Sequence, residues 1–149
     1  MKSVVYYFLL ALLLSATKIS AQTINSPSEI DQITKTLMLY IDGTANGEPE
    51  KLKEAFHPDF NLYTVSDKDS LRIRSGKEYI NNIKKGEKSN RIGRIVSIDI
   101  ENNAAMAKAE ITIPGWRIFT DYFLLLKYEG SWKIVQKSYT WREYPKDSK

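Results

Sequence analysis

Cysteine is absent from the 149 residues, and histidine occurs once, as His57. Without thiols the chain has no disulfide, no thiolate nucleophile and no cysteine-ligated metal site. A single imidazole leaves only carboxylates to complete a zinc shell, which needs three or four converging ligands. No metal is therefore expected. The chain also lacks a Gly-rich phosphate loop, a nucleophile elbow and an HExxH helix, and no cofactor is expected. Charge of one sign is scarce as well: 22 Lys and Arg stand against 18 Asp and Glu. A nucleic-acid binder clusters its cations on one face, so this balance excludes nucleic acid as the expected partner. A local surplus lies between Arg72 and Arg94, where eight cations meet only Glu78 and Glu87; it reads either as a solvated face or as an anion-binding segment.

Long apolar runs are missing too. The one apolar stretch, Val4 to Leu14, follows Lys2 and is succeeded by small residues up to Ala21. It falls short of the roughly 20 residues that a spanning helix needs. Its pattern is that of a secretory signal peptide, so residues 1–21 are expected to be removed on export to a periplasmic or extracellular location. Residues 22–149 then form one domain, with no membrane anchor and no internal repeat.

What is present is strongly patterned. Ser28 stands where a helix N-cap belongs, with Asp31 in the first turn, and Ile30, Ile33, Leu37, Met38 and Ile41 recur at helical spacing. A helix is expected to about Ala45, stopped by Asn46 and Gly47. Pro49 opens a second short helix, and the ring of Pro58 disfavours helical dihedrals at His57, which ends it. Alternation over residues 60–66 and 71–75 predicts a hairpin whose second strand is a sheet edge. Ser75 and Glu78 have the spacing of a capping box for a third helix. Four strands are expected over 94–101, 104–114, 116–128 and 131–141, joined by turns short enough to require antiparallel neighbours. Helices followed by strands predict an α+β domain, a curved antiparallel sheet with helices on one face.

Three stretches, "YIDGTANGEPEKLKEAFHPDFNL", "RIGRIVSIDIENNAAMAKAEI" and "FTDYFLLLKYEGSWKIVQKSY", carry a resemblance that spans the expected mature domain. They resemble the lumazine-binding family of the NTF2-like (nuclear transport factor 2) superfamily; "DYFLLLKYEGSWKIV" is the most specific part. The resemblance implies a cone in which three helices close one side of a strongly bent sheet and leave a pocket at the wide end. It also implies a homodimer formed through the sheet. The superfamily includes ketosteroid isomerases, dehydratases, polyketide cyclases and epoxide hydrolases beside members without chemistry, so activity does not follow from the fold.

Asp121 is the most informative polar residue. Strict alternation places it on one strand face with Arg117, Phe119, Phe123 and Leu125, where a carboxylate needs a partner. Burial alone would raise its pKa and suit proton transfer, whereas a neighbouring arginine would lower it and suit a structural ion pair. Arg72, Arg74, Arg91 and Arg117 are the candidate partners. The many aromatic residues predict an aromatic cavity with few polar groups, suited to a flat molecule, with Tyr63 and Tyr139 as its hydroxyls. Ligand-binding candidates are therefore Tyr63, Asp121, Phe119, Trp116, Tyr139 and His57, the last as a junction residue at the pocket rim; Trp132 is expected in the core. The favoured function is non-catalytic binding of a small apolar or aromatic molecule. The alternative is an isomerase or dehydratase with Asp121 as base, assisted by His57 or Tyr63. An isomerase site on this fold also uses a protonated acid beside a tyrosine, and no second acid falls at an apolar interior position. A third reading is a dimeric interaction module whose basic segment, including Lys84, Lys85 and Lys88, contacts an acidic partner.

Overall fold

The chain enters its first helix through a reciprocal cap. Ser28 Oγ accepts from the Asp31 amide at 3.1 Å, while Asp31 Oδ2 accepts from the Ser28 amide at 3.2 Å, so two otherwise orphaned donors are satisfied. Helix α1 (Glu29–Asn46) ends at Gly47, whose φ of 64° is the left-handed conformation that glycine adopts without steric cost. A computed structural model describes residues 27–145; the expected leader, residues 1–21, lies outside the described residues. Helix α2 (Pro49–Ala55) follows, with Pro49 at its start, and α3 (Gly76–Asn81) is capped by Ser75 Oγ, which accepts from the Glu78 amide at 3.2 Å. Among the described residues no helix is long and apolar enough to cross a membrane.

Six strands form one unclosed sheet: β1 (Phe56–Val65), β2 (Leu71–Ser75), β3 (Ile92–Glu101), β4 (Ala104–Ile113), β5 (Arg117–Tyr128) and β6 (Ser131–Glu143), in the order β2-β1-β6-β5-β4-β3. The run β3 to β6 is antiparallel throughout, as its short turns require. In one respect the sheet is not purely antiparallel: β1 lies parallel to β6. Strand β1 also starts earlier than its alternation suggests, because the extended geometry that Pro58 imposes on His57 suits a strand and Phe56 already pairs with Ile134. The register breaks between Phe56 and Asn61, between Ile95 and Ser97, and at Val135, which is the extra residue between Ile134 and Gln136. Bulges of this kind bend the strand that carries them and increase its twist, which curves the sheet around α1.

The core fills the narrow end of that curve. Ile33, Leu37 and Ile41 of α1 pack with Leu52, Phe56, Phe123, Leu125, Trp132 and Ile134. Phe56 and Phe60 stack at 3.8 Å between ring centroids. Gly93 lets α1 approach β3, since a Cβ there would lie 2.5 Å from Ile41 Cγ2. Trp132 is buried as expected, and its indole Nε1 donates to Glu29 Oε2 at 2.6 Å, tying the start of α1 to β6.

Candidate functional site

Inward-facing residues of β5 and β6 run from the packed core toward the open end. On β5, alternation holds without interruption: Leu125, Phe123, Asp121, Phe119 and Arg117 face the helices, while Tyr122, Leu124 and Leu126 are exposed. On β6 the bulge at Val135 changes the phase. Trp132 and Ile134 point inward below it, and Lys137, Tyr139 and Trp141 do so above it, opposite Phe123, Asp121 and Phe119. Above the core these residues enclose a cavity of about 770 Å³, inside the roughly 300 to 1,000 Å³ usual for ligand clefts. Phe119, Trp116, Tyr139 and Trp141 form its aromatic wall, and Tyr40 of α1 and Tyr79 of α3 also line it.

Its floor is a closed ring of three side chains. Tyr40 donates to Asp121 Oδ2 at 2.6 Å; Lys137 Nζ donates to the same oxygen at 3.1 Å and to the Tyr40 hydroxyl at 2.9 Å. Asp121 and Lys137 are almost wholly buried, with side chains 1% and 6% exposed. Burial, and after it the Asp121 charge, push the Tyr40 phenol well above its ordinary range. It therefore stays protonated and donates. The Lys137 ammonium also lies over the rings of Tyr40, Tyr139 and Tyr79, at 4.9, 4.9 and 5.4 Å, where the negative faces of the rings favour a cation. Both donors hold Oδ2, and Oδ1 is buried with no hydrogen-bond partner. Such an atom costs free energy until a donor meets it.

The rim is cationic. Arg72 and Arg74 of β2, Arg91 just before β3 and Arg117 of β5 all line the cavity. The Arg117 guanidinium stacks on Trp141, 3.5 Å from its ring centroid, and lies 4.7 Å from that of Trp116.

Four of the six expected ligand-binding residues are thus brought together: Asp121, Phe119, Trp116 and Tyr139. Tyr63 and His57 are not. Tyr63 pairs with Ser138, out of phase with the inward pair Leu62 and Lys137, so it faces away while Leu62 and Thr64 line the cavity. His57 is set at the junction of α2 and β1, where its Nδ1 accepts from the Asp59 amide at 3.2 Å and its ring meets Tyr128 edge-on at 5.1 Å. It is a junction residue, as read from the sequence, but not part of the rim. The expected arginine partner of Asp121 is replaced by Lys137. The cavity is also more polar than expected, because the arginines considered as its partner line the mouth instead. Lys137 escapes strict alternation, which groups it with Lys133 and Val135 on the outer face. Two inward apolar phases within one strand, Trp132 and Ile134 against Tyr139 and Trp141, were the available signal of a bulge. Among the described residues no three His, Asp or Glu side chains gather as a metal ion would require.

Residues 28–140 match the family described as "Putative lumazine-binding". The chain belongs to this family. Within the wider NTF2-like group, this chain is similar to an NTF2-like protein of unknown function from Methylobacillus flagellatus KT, with 31% identity, 78% of this chain and 94% of that chain covered, and a TM-score of 0.68. A second NTF2-like protein of unknown function, from Shewanella baltica OS155, has the same TM-score at 24% identity, covering 80% and 100% of the two chains, and shares the fold. The chain is also similar to the aldolase FrzH of Cladobotryum sp., 26% identical over 122 residues that cover 80% of this chain and 94% of that protein. The fold is one that binds small molecules.

Proposed function

We propose that this protein binds a small, flat molecule in the hollow above the Tyr40–Asp121–Lys137 ring. The observation that carries this reading is the open cavity of about 770 Å³ lined by several aromatic side chains, because an aromatic wall suits a planar guest. Lumazine, from which the family takes its name, is a flat heterocycle of this class. A thermal-shift screen of pteridines and other fused heterocycles tests the reading. A ligand present at a hundred times its Kd adds about 2.7 kcal/mol to stability, so binding raises the Tm measurably; a flat response across the set removes the proposal.

A second reading, catalysis, is supported by the buried ring and by the similarity to the Cladobotryum aldolase. Asp121 Oδ1 would take a proton from the carbon beside a carbonyl, with Lys137 and Tyr40 fixing the carboxylate through Oδ2; these two replace His57 and Tyr63 as its assistants. Proton exchange at that carbon of a ketone in D₂O, followed by NMR, is then faster with protein than with buffer and slow again in Asp121→Asn. Exchange at the buffer rate rejects catalysis.

Two further proposals concern the setting. Export is supported by the leader pattern of residues 1–21, and is checked by the N-terminus of protein recovered from outside the cytoplasm. Homodimerisation is supported by Met106, Tyr122, Leu124 and Leu126, exposed on the neighbouring strands β4 and β5. Light scattering of wild type and Leu124→Lys reads it, with a monomeric wild type against it. In an interaction module using the basic segment, charge reversal at Lys84, Lys85 and Lys88 would abolish capture of an acidic partner.

A further inference from the structure

Among the described residues, the arginines of this domain fall into two groups. Outside the cavity, Arg94 and Arg142 share Glu110. Around the cavity mouth the pattern reverses. Among the described residues, Arg72, Arg74, Arg91 and Arg117 form no ion pair and no side-chain hydrogen bond, although Asp67 and Glu78 also line the hollow. These arginines come from opposite edges of the sheet, β2 and the approach to β3, and from β5 between them. All four line the same hollow. Apart from the Asp121–Lys137 pair, the lining holds four arginines against the two acids Asp67 and Glu78, and such an excess over low-dielectric walls focuses a positive potential into the cleft that draws in an anion.

Arg117 is the most defined of the four. Its guanidinium lies over the rings of Trp141 and Trp116, and a guanidinium that stacks on an aromatic face keeps its in-plane N–H groups free for the two-pronged contact that a carboxylate accepts. At the far end of the same hollow, Asp121 Oδ1 is an acceptor without a donor. We infer that the ligand is a flat organic anion: an acidic group held by the arginines at the mouth, a planar body against the aromatic wall, and an N–H or O–H group donating to Asp121 Oδ1. This rests on the small-molecule reading above and narrows it to one chemical class.

The test uses a naphthoate with a hydroxyl at the end opposite its carboxylate, its neutral amide, and its methoxy ether, titrated calorimetrically into the wild-type protein. The acid is expected to bind about tenfold more tightly than the amide, the scale of one charge-assisted contact, and this advantage shrinks as salt screens the arginines. The hydroxyl compound likewise binds more tightly than the methoxy ether. Arg117→Gln and the double variant Arg72→Gln/Arg91→Gln lose the preference for acid, while Arg142→Gln, whose partner Glu110 lies outside the lining, keeps it. Should Arg117→Gln not fold, the double variant, at exposed and half-buried positions, carries the comparison. Equal affinity for acid and amide, or a preference that survives both cavity variants, overturns the inference while leaving small-molecule binding intact. Binding of none of the three overturns the inference and counts against the broader reading as well.

Discussion

The two ends of the cavity hold charge in opposite ways. At the floor every charge is spoken for: Asp121 has Lys137, and Tyr40 bridges them. At the mouth four guanidiniums form no ion pair among the described residues, although Asp67 and Glu78 line the same hollow. Burial explains the contrast. Removing a carboxylate and an ammonium from water costs several kcal/mol per ion, and only close pairing with further hydrogen bonds offsets it. Solvent at the mouth removes that requirement, so cations there persist unpaired and remain available to a ligand. The floor is therefore where charge supports the fold, and the mouth is where, on the proposed function, it supports recognition.

The sharpest way to break this contrast is to unpair the floor. Lys137→Met leaves a buried, uncompensated carboxylate and is expected to lower stability by about 3 to 5 kcal/mol in urea denaturation. The double variant Asp121→Leu/Lys137→Met, which leaves no charge unpaired, is expected to recover most of that loss. A double variant as unstable as the single would mean that the pair itself, and not the burial of a lone charge, holds the floor together. At the mouth, Arg72→Gln and Arg91→Gln are expected to change stability by no more than about 0.5 kcal/mol, while the affinity for the naphthoate acid falls. A large loss of stability there would erase the distinction between the two ends.

Glu29 sharpens the comparison from a third direction, since it is paired but not buried. Hydrogen bonds from Lys127, and then from Trp132, hold its carboxyl below the ordinary 4.5. A carboxylate with a depressed folded-state pKa contributes stability above its unfolded pKa and loses it as pH falls through the folded value. Glu29→Gln is therefore expected to melt below wild type near neutral pH, with the gap closing as pH drops below about 4.5. Solvent screening keeps this the smallest of the effects. A gap that is constant with pH would assign the loss to packing at Trp132.

Strand β5 and strand β6 explain how much of this was legible. Every inward residue of β5 follows from period two, which is why the sequence alone groups Asp121, Phe119 and Arg117. The cap at Ser28, the stop at Gly47 and the edge position of β2 were equally local, set by side chains and glycine dihedrals within a few residues. Strand β6 hides its half of the site because one extra residue, Val135, moves Lys137 from the outer face to the inner one. The parallel pairing of β1 with β6 is non-local, and with it the outward orientation of Tyr63. The arginine rim is non-local too, since it joins residues from both sheet edges. His57, distinguished only by being the single histidine, is explained by the proline that follows it.

The tryptophans offer the most direct check on the hollow itself. Trp116 and Trp141 line it, and Trp132 is packed in the core beneath, so a ¹H–¹⁵N spectrum has one indole signal for each of the three. Titration with the naphthoate acid is expected to move the signals of Trp116 and Trp141 saturably and to leave that of Trp132 in place. Saturable binding that leaves both Trp116 and Trp141 unmoved would put the guest elsewhere and contradict a ligand site in the cone.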